Sequence, residues 1–356
     1  MSRQRNVCSL FLLCALASGG LSAASPTVVD VEGKTITLEA GHPSLQKWLL
    51  PAVPPPPADN KPTAARIELG KKLFFDPRLS KDSNMSCATC HNPMFGWSDG
   101  LSTAKGFKSQ VLARATPTII NAGYNGIQMW DGRKKDLEDQ ATGPMEAPGE
   151  MNMDLGTLFK WLNDNAEYRA LFAKAYAGEA IDAKSVSKAL ANYERTVVSN
   201  TSRFDRWVRG DKKALNAREI NGFAILIDPK KGNCAVCHSG ANFTDSGFHN
   251  IGLPAWGKPN PDVGRYASKP IQAMKGAFKT PTLRDIDLTA PYFHDGSVAT
   301  LDGVVEHYAK GGEVRTNLSP DMKELKLSDA EKADLVAFMK ALTSPTKPTI
   351  LPALPR

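Results

Sequence analysis

The chain has 356 residues, enough for two domains of ordinary size. Its formal charge of +7 is not accompanied by a Lys/Arg run or a nucleic-acid motif, which excludes a nucleic-acid-binding role. No stretch is apolar for long enough to span a bilayer, which excludes an integral helical membrane protein.

Residues 1–24 read as a secretory signal. Arg3 and Arg5 form a positive head, Val7 to Ala17 is a mostly apolar run of 11 residues, and Ser22-Ala23-Ala24 offers small residues for cleavage near Ala24. The run is too short for a membrane anchor. Cys14 follows Phe11-Leu12-Leu13, which lacks the small residue expected before a lipidated cysteine. The expectation is a periplasmic protein with no membrane insertion once the signal is removed. Removing Arg3 and Arg5 leaves a formal charge of +5.

Residues 25–63 read as an irregular, Pro-rich lead-in, with Pro51 and the Pro54–Pro57 run forming an extended strap rather than core. Ile67, Leu69, Leu73 and Phe74 give helical spacing over Ala64–Phe75. Leu155 to Ala177 predicts one or two amphipathic helices, and Ile181 to Val198 another. A domain boundary is expected near residues 200–204, dividing 64–200 from 201–356. A helix over Ala214–Leu226 opens the second unit, and a Gly/Pro-rich stretch runs from Gly240 to Lys279. The last helix begins at Ser328, where Ser328-Asp329-Ala330-Glu331 is a capping box and Leu335, Phe338, Met339 and Leu342 make one apolar face. Strands are scarce. The predicted class is mostly α, two domains with long ordered loops.

A pentapeptide is present twice, Cys87-Ala-Thr-Cys90-His91 and Cys234-Ala-Val-Cys237-His238, which makes the expected units two cytochrome c-like haem domains. Cys-x-x-Cys-His is the attachment signal of c-type haem: the thiols add across the vinyl groups and the His meets the iron. Two complete copies argue against a redox dithiol or half a zinc site. The 147 residues between the motifs suit one haem per domain. All six cysteines are then assigned, because Cys8 and Cys14 leave with the signal, and no disulfide remains to be drawn. Four propionates add roughly four negative charges and bring the holoprotein close to neutral.

The segments between and after the motifs resemble the bacterial dihaem cytochrome c peroxidase superfamily over roughly residues 64–345. The resemblance is carried by Asp99-Gly100, Arg114-Ala-Thr-Pro-Thr118, Met129-Trp-Asp-Gly-Arg133, Leu137-Glu-Asp-Gln140-Ala, Gly143-Pro144 and Glu150-Met151. Thr280-Pro-Thr-Leu-Arg284 and Thr289-Ala-Pro-Tyr-Phe-His-Asp-Gly296 extend it. The resemblance implies that Glu150 is the acid/base at the first haem, supported by Gln140, with Pro144 shaping the pocket. A carboxylate in such a pocket is expected to have a raised pKa. The removable distal His of most relatives maps to Phe107, and residues 92–115 contain no His, so the first iron is expected to be open. The Met that closes the second iron in the peroxidases maps to Tyr308, as in the MauG-like, methylamine-utilisation branch; Met274, Met322 and His307 are its rivals. On a helix His307 points about 100° away from Tyr308. Trp130 matches the family's inter-haem Trp, whose alternative role is packing.

The same resemblance implies a calcium ion held by backbone carbonyls of Thr289 and Pro291, although Ala115 stands where an Asn ligand is usual. His249 and His294 are expected to be structural and His42 exposed, while Arg284 and Arg265 are candidates for propionate pairing. The implied function is a periplasmic peroxidase that reduces hydrogen peroxide, sharing its two oxidising equivalents between two irons, with a small redox protein as donor. Two alternatives stand beside it. One is a maturation enzyme that oxidises aromatic side chains of a protein substrate; the other is a non-enzymatic electron carrier, which would need both irons closed. In MauG-type enzymes holes leave through a surface Trp six residues before the second haem His, and that position is Gly232 here.

Overall fold

A computed structural model describes residues 27–356 apart from Glu32 and Lys347; the expected signal at 1–24 lies outside the described residues. Helices dominate and strands are few. A hairpin comes first, β1 (Val28–Val31) paired antiparallel with β2 (Lys34–Thr37). The first half then folds from α1 (Ala64–Phe75), α2 (Cys87–Cys90), α3 (Leu137–Gln140), α4 (Gly143–Glu146), α5 (Leu155–Asp164), α6 (Ala166–Ala175) and α7 (Ala183–Glu194). The second half has α8 (Arg203–Val208), α9 (Ala217–Ile227), the short pair β3 (Phe248–His249) and β4 (Phe278–Lys279), α10 (Leu301–Ala309) and α11 (Asp329–Ala341). No helix among the described residues is long and apolar enough to cross a membrane.

Local chemistry explains the helix limits. Thr63 caps α1 by accepting from the Arg66 amide, and the Ser328–Glu331 capping box starts α11 as its sequence predicts. The single periodic run at 155–177 divides because Asn165 ends α5 and caps α6, its side chain accepting from the Tyr168 amide.

Two buried apolar clusters organise the chain. The first joins α1, α5, α6 and α7 through Leu73, Phe74, Leu162, Tyr168, Val186 and Leu190. The second gathers Phe204, Phe223, Phe243, Val305 and Phe338, with Phe204 and Phe338 rings 5.4 Å apart, edge to face. Each cluster has a close helix crossing built on a glycine. A Cβ on Gly70 of α1 would lie 1.9 Å from the Ala189 carbonyl oxygen of α7, and one on Gly222 of α9 would lie 2.0 Å from that of Asp334 in α11. Only glycine permits backbones this near.

The two chain ends exchange halves. The lead-in expected to be irregular holds the hairpin and a 3-10 turn over Pro43–Trp48, and its Val29, Ile36, Leu45 and Trp48 are buried in the second cluster. Alternating apolar positions in two four-residue strands are too short a pattern to stand out against a Pro-rich background. Conversely, the C-terminal tail lies on the first half, where Lys72 Nζ donates to the Ala353 carbonyl at 2.6 Å and Arg78 to that of Pro355 at 2.7 Å.

Arg284 ties these pieces together. It is fully buried and donates to Asp205 at 2.9 Å and to the carbonyls of Ala241 and Trp48 at 2.8 and 2.9 Å. Three of its five donors are therefore engaged inside the protein, although the side chain also borders the cavity lined by both Cys-x-x-Cys-His motifs. Arg265 is likewise engaged, donating to the carbonyls of Asp131 and Gly132. Both side chains thus have protein partners of their own, carbonyls for each and a carboxylate for Arg284. Arg284→Met should strand the Asp205 carboxylate and lower stability by about 3–5 kcal/mol. Urea denaturation of the holoprotein checks this.

Candidate functional site

One continuous cavity of about 750 Å³ is lined by both Cys-x-x-Cys-His motifs. At the first, α2 presents Cys87 and Cys90 one turn apart, and His91 follows as the cap. His91 Nδ1 lies 3.2 Å from the Trp97 carbonyl oxygen. At the second, a single 3-10 turn over Cys234–Val236 does the same work, and His238 Nδ1 lies 3.0 Å from the Phe243 carbonyl oxygen. Burial pushes both imidazoles below their ordinary pKa, so they are neutral with Nδ1 as the donor. Each Nε2 is left available as a ligand. Burial raises the Cys87 thiol to about 12 and the Cys90 thiol to about 11. The four motif thiols are unpaired. The donor set, the two tautomer-fixing carbonyls and the shared hollow fit two covalently attached haem groups.

Several of the residues singled out by sequence meet in the wall of this cavity near the first motif. Gln140 ends α3, Pro144 opens α4, and the loop behind α4 folds back so that Glu150 donates its amide to Ala147 and Met151 its amide to Pro144. Gln140, Pro144 and Glu150 all line the hollow. Gly106 makes this wall tight, since a Cβ there would lie 1.9 Å from the Gly149 carbonyl oxygen. Burial raises the Glu150 pKa, partly offset by Arg133. Phe107 is not in the wall; its ring lies under Lys81 and Lys108 Nζ at 5.7 and 5.3 Å. The lining histidines among the described residues are His91, His238, His249 and His294, and none comes from 92–115 apart from the segment's flank.

Trp130 lines the same hollow and is fixed by its indole N–H, which donates to the Ala115 carbonyl at 2.9 Å. Its ring meets His294 edge-on at 6.4 Å, and His294 stacks on Phe278 at 3.4 Å. Tyr308, on α10, lines the cavity on the second-motif side, and burial raises its phenol pKa. Of its rivals, Met274 is outside the wall, and His307 turns away to contact the Ile251 carbonyl at 2.9 Å. Met322 shares the wall with Tyr308. Thr289 and Pro291 also line the hollow, beside buried Ala115.

Cys237 Sγ, Asp245 and His249 bring ligand atoms within 4.8 Å of one another. The sulfur is an attachment thiol and the other two are already partners, His249 Nε2 lying 2.9 Å from Asp245 and Nδ1 3.3 Å from Ser319 Oγ. Gly232 sits so close to α9 that a Cβ would lie 2.5 Å from the Ile225 carbonyl oxygen. No Trp fits there on this backbone.

Two lining residues escaped the sequence reading. Glu194, at the end of α7, is a buried carboxyl pushed up to about 8 by burial. Lys279, in β4, is a buried amine pushed down to about 8 by burial. A charge directly after the apolar Ala277-Phe278 and directly before the Thr280–Arg284 segment was the available signal for Lys279.

Fold and cavity together define a c-type di-haem protein. Residues 64–213 match the family model described as di-haem cytochrome c peroxidase. The methylamine utilization protein MauG of Methylorubrum extorquens is 45% identical over 90% of this chain and 91% of its own. A cytochrome c551 peroxidase of Nitrosomonas europaea is 38% identical over 82% of this chain and 84% of its own. A crystal structure of a MauG-like protein associated with microbial copper homeostasis superposes with a TM-score of 0.76, at 31% identity, covering 83% of this chain and 95% of that one. The chain belongs to the di-haem cytochrome c peroxidase family. It is an enzyme of the haem peroxidase class with two haem c groups.

His294 gives the site a pH signature. Burial depresses it to about 4, whereas an unfolded imidazole titrates near 6.5. The unfolded chain therefore binds more protons between those values. Stability should be full above about pH 6.5 and fall as pH drops toward 4. Urea midpoints at pH 7 and 5 should show this fall, and His294→Asn should make it shallower.

Proposed function

We propose that this chain is a periplasmic di-haem peroxidase that reduces hydrogen peroxide at the first motif and passes electrons from the second. One haem would be held by Cys87, Cys90 and His91 in a cytochrome c-like domain at 64–200. The other would be held by Cys234, Cys237, His238 and Tyr308 in a domain at 201–356. Haem c supplies redox-active iron able to take oxidising equivalents from peroxide.

The observation that carries this reading is the wall made by Gln140, Pro144 and Glu150, facing a motif whose following loop offers no His to close it. Glu150 holds a proton beyond the usual carboxylate range because it is buried, and can move it between the two peroxide oxygens. Gln140 orients that carboxyl, and Pro144 gives the wall a fixed shape. Trp130, pinned to Ala115, serves as the electron relay between the motifs. Tyr308 would provide the second motif with an oxygen donor; burial keeps its phenol protonated, and a cation bound at the oxygen would favour loss of that proton to solvent. Thr289 and Pro291 offer carbonyls to a calcium ion, with Ala115 contributing no side-chain oxygen.

A second reading, peroxide-driven maturation of a protein substrate, is favoured by the 45% identity to MauG and by Tyr308. Gly232 counts against the exit route of that enzyme, and oxidation of a partner would have to leave elsewhere. A carrier function lacks the second closing ligand at the first motif.

The diferric holoprotein should consume peroxide without prior reduction, and Glu150→Gln should lower turnover by about 10²–10⁴ at unchanged haem content. Unchanged turnover would remove Glu150 from the mechanism. Tyr308→Phe should alter the absorption and EPR spectra of one haem only; unaltered spectra would transfer the ligand role to Met322.

A further inference from the structure

Haem brings carboxylates as well as iron, and a cavity that receives them needs cations. The basic residues lining the hollow are Arg114, Arg133, Lys279, Arg284 and Lys323. Three already have partners. Arg114 lies between Asp131 and Asp262, Arg133 is on Asp131, and Arg284 is on Asp205. Lys323 is exposed. Lys279 is 8% exposed, and no carboxylate among the described residues lies within ion-pair distance of it.

An ammonium has three donors. Lys279 Nζ uses one, toward the Thr280 carbonyl at 3.1 Å. A buried ammonium with two idle donors is strongly destabilising, because each lost hydration contact goes uncompensated. The groups around it do not answer that need. Asp245 attracts it from a distance but is bonded to His249, and Asp131, beside Trp130, is held by two arginines. Its backbone is fixed on both sides: Lys279 pairs with Phe248 in the β3–β4 ladder, and its amide donates to the Trp130 carbonyl at 2.8 Å. The side chain therefore enters the hollow from a strand hydrogen-bonded to the residue that carries the indole.

We propose that Lys279 binds a haem propionate carboxylate, and so sets the position and reduction potential of that haem relative to Trp130. The proposal rests on the reading that the cavity holds two haem c groups. Lys279 acts on the chemistry through the haem and is a positioning residue. Its positive charge disfavours the oxidised iron, so it raises the potential of the haem it holds.

The test compares holoproteins of wild type, Lys279→Met and Lys279→Arg by spectroelectrochemical titration. Haem content is measured alongside, and two haems per chain is the check on the cavity reading itself. With both haems present, Lys279→Met should lower the midpoint of one haem while Lys279→Arg leaves it near wild type. Unchanged midpoints in a fully loaded Lys279→Met protein overturn the proposal. If Lys279→Met does not accumulate, the wild type decides. An amine paired with a carboxylate stays protonated beyond the value near 8 that burial, partly offset by Asp245, gives it without such a partner. The midpoint should then show no lysine titration between about pH 7 and 9. A fall across that interval that Lys279→Arg abolishes overturns the proposal.

Discussion

One hydrogen bond, made twice, underlies the chemistry of this protein. At each motif a buried imidazole gives its Nδ1 proton to a backbone carbonyl, that of Trp97 or that of Phe243. The bond fixes the tautomer, aims Nε2 into the hollow and holds the ring against rotation. Burial keeps the rings neutral, and only a neutral ring can offer a lone pair. The chain spends different local structures to reach the same result, a short helix at the first motif and one 3-10 turn at the second. The preserved feature is the carbonyl, not the secondary structure.

The asymmetry of the cavity follows from what surrounds those rings. Near the first, the wall is a carboxyl, an amide and a proline ring, with burial supplying the bias toward protonation. Near the second, the wall includes a phenol and thioethers of methionine. Trp130, His294 and Phe278 line the same hollow in ring contact, and Arg114, which pairs with Asp131 and Asp262, lies over the Phe278 ring at 5.4 Å.

Much of this was legible in the residues. The motifs, the capping box at Ser328 and the apolar spacing of 64–75 and 183–194 depend on near neighbours in sequence, and such signals survive without tertiary knowledge. The gathering of Gln140, Pro144, Glu150 and Trp130 in one wall came through likeness to relatives rather than through any local pattern. What stayed hidden depends on distant partners. Arg284 is an ordinary arginine until Trp48, Ala241 and Asp205 are placed around it. Lys279 and Glu194 gain their character from burial, which no window of neighbouring residues reveals. The β1–β2 hairpin is four residues per strand and is anchored by Val29 and Ile36, whose burial depends on the distant second cluster.

The exchange of chain ends bears on the order in which the molecule can be completed. The first apolar cluster draws on a contiguous stretch, 69–193, and can close while the remainder is still being made. The second needs Val29 to Trp48 from the beginning of the chain and Leu335 to Leu342 from near its end. Those contacts span most of the polypeptide, and long-separated contacts form late. The segment that emerges early must therefore wait, with its tryptophan and leucines uncovered, until Phe223 and Phe243 arrive to pack against that tryptophan. Such a chain is vulnerable to self-association in the interval, and benefits from a chaperone that shields its leading edge.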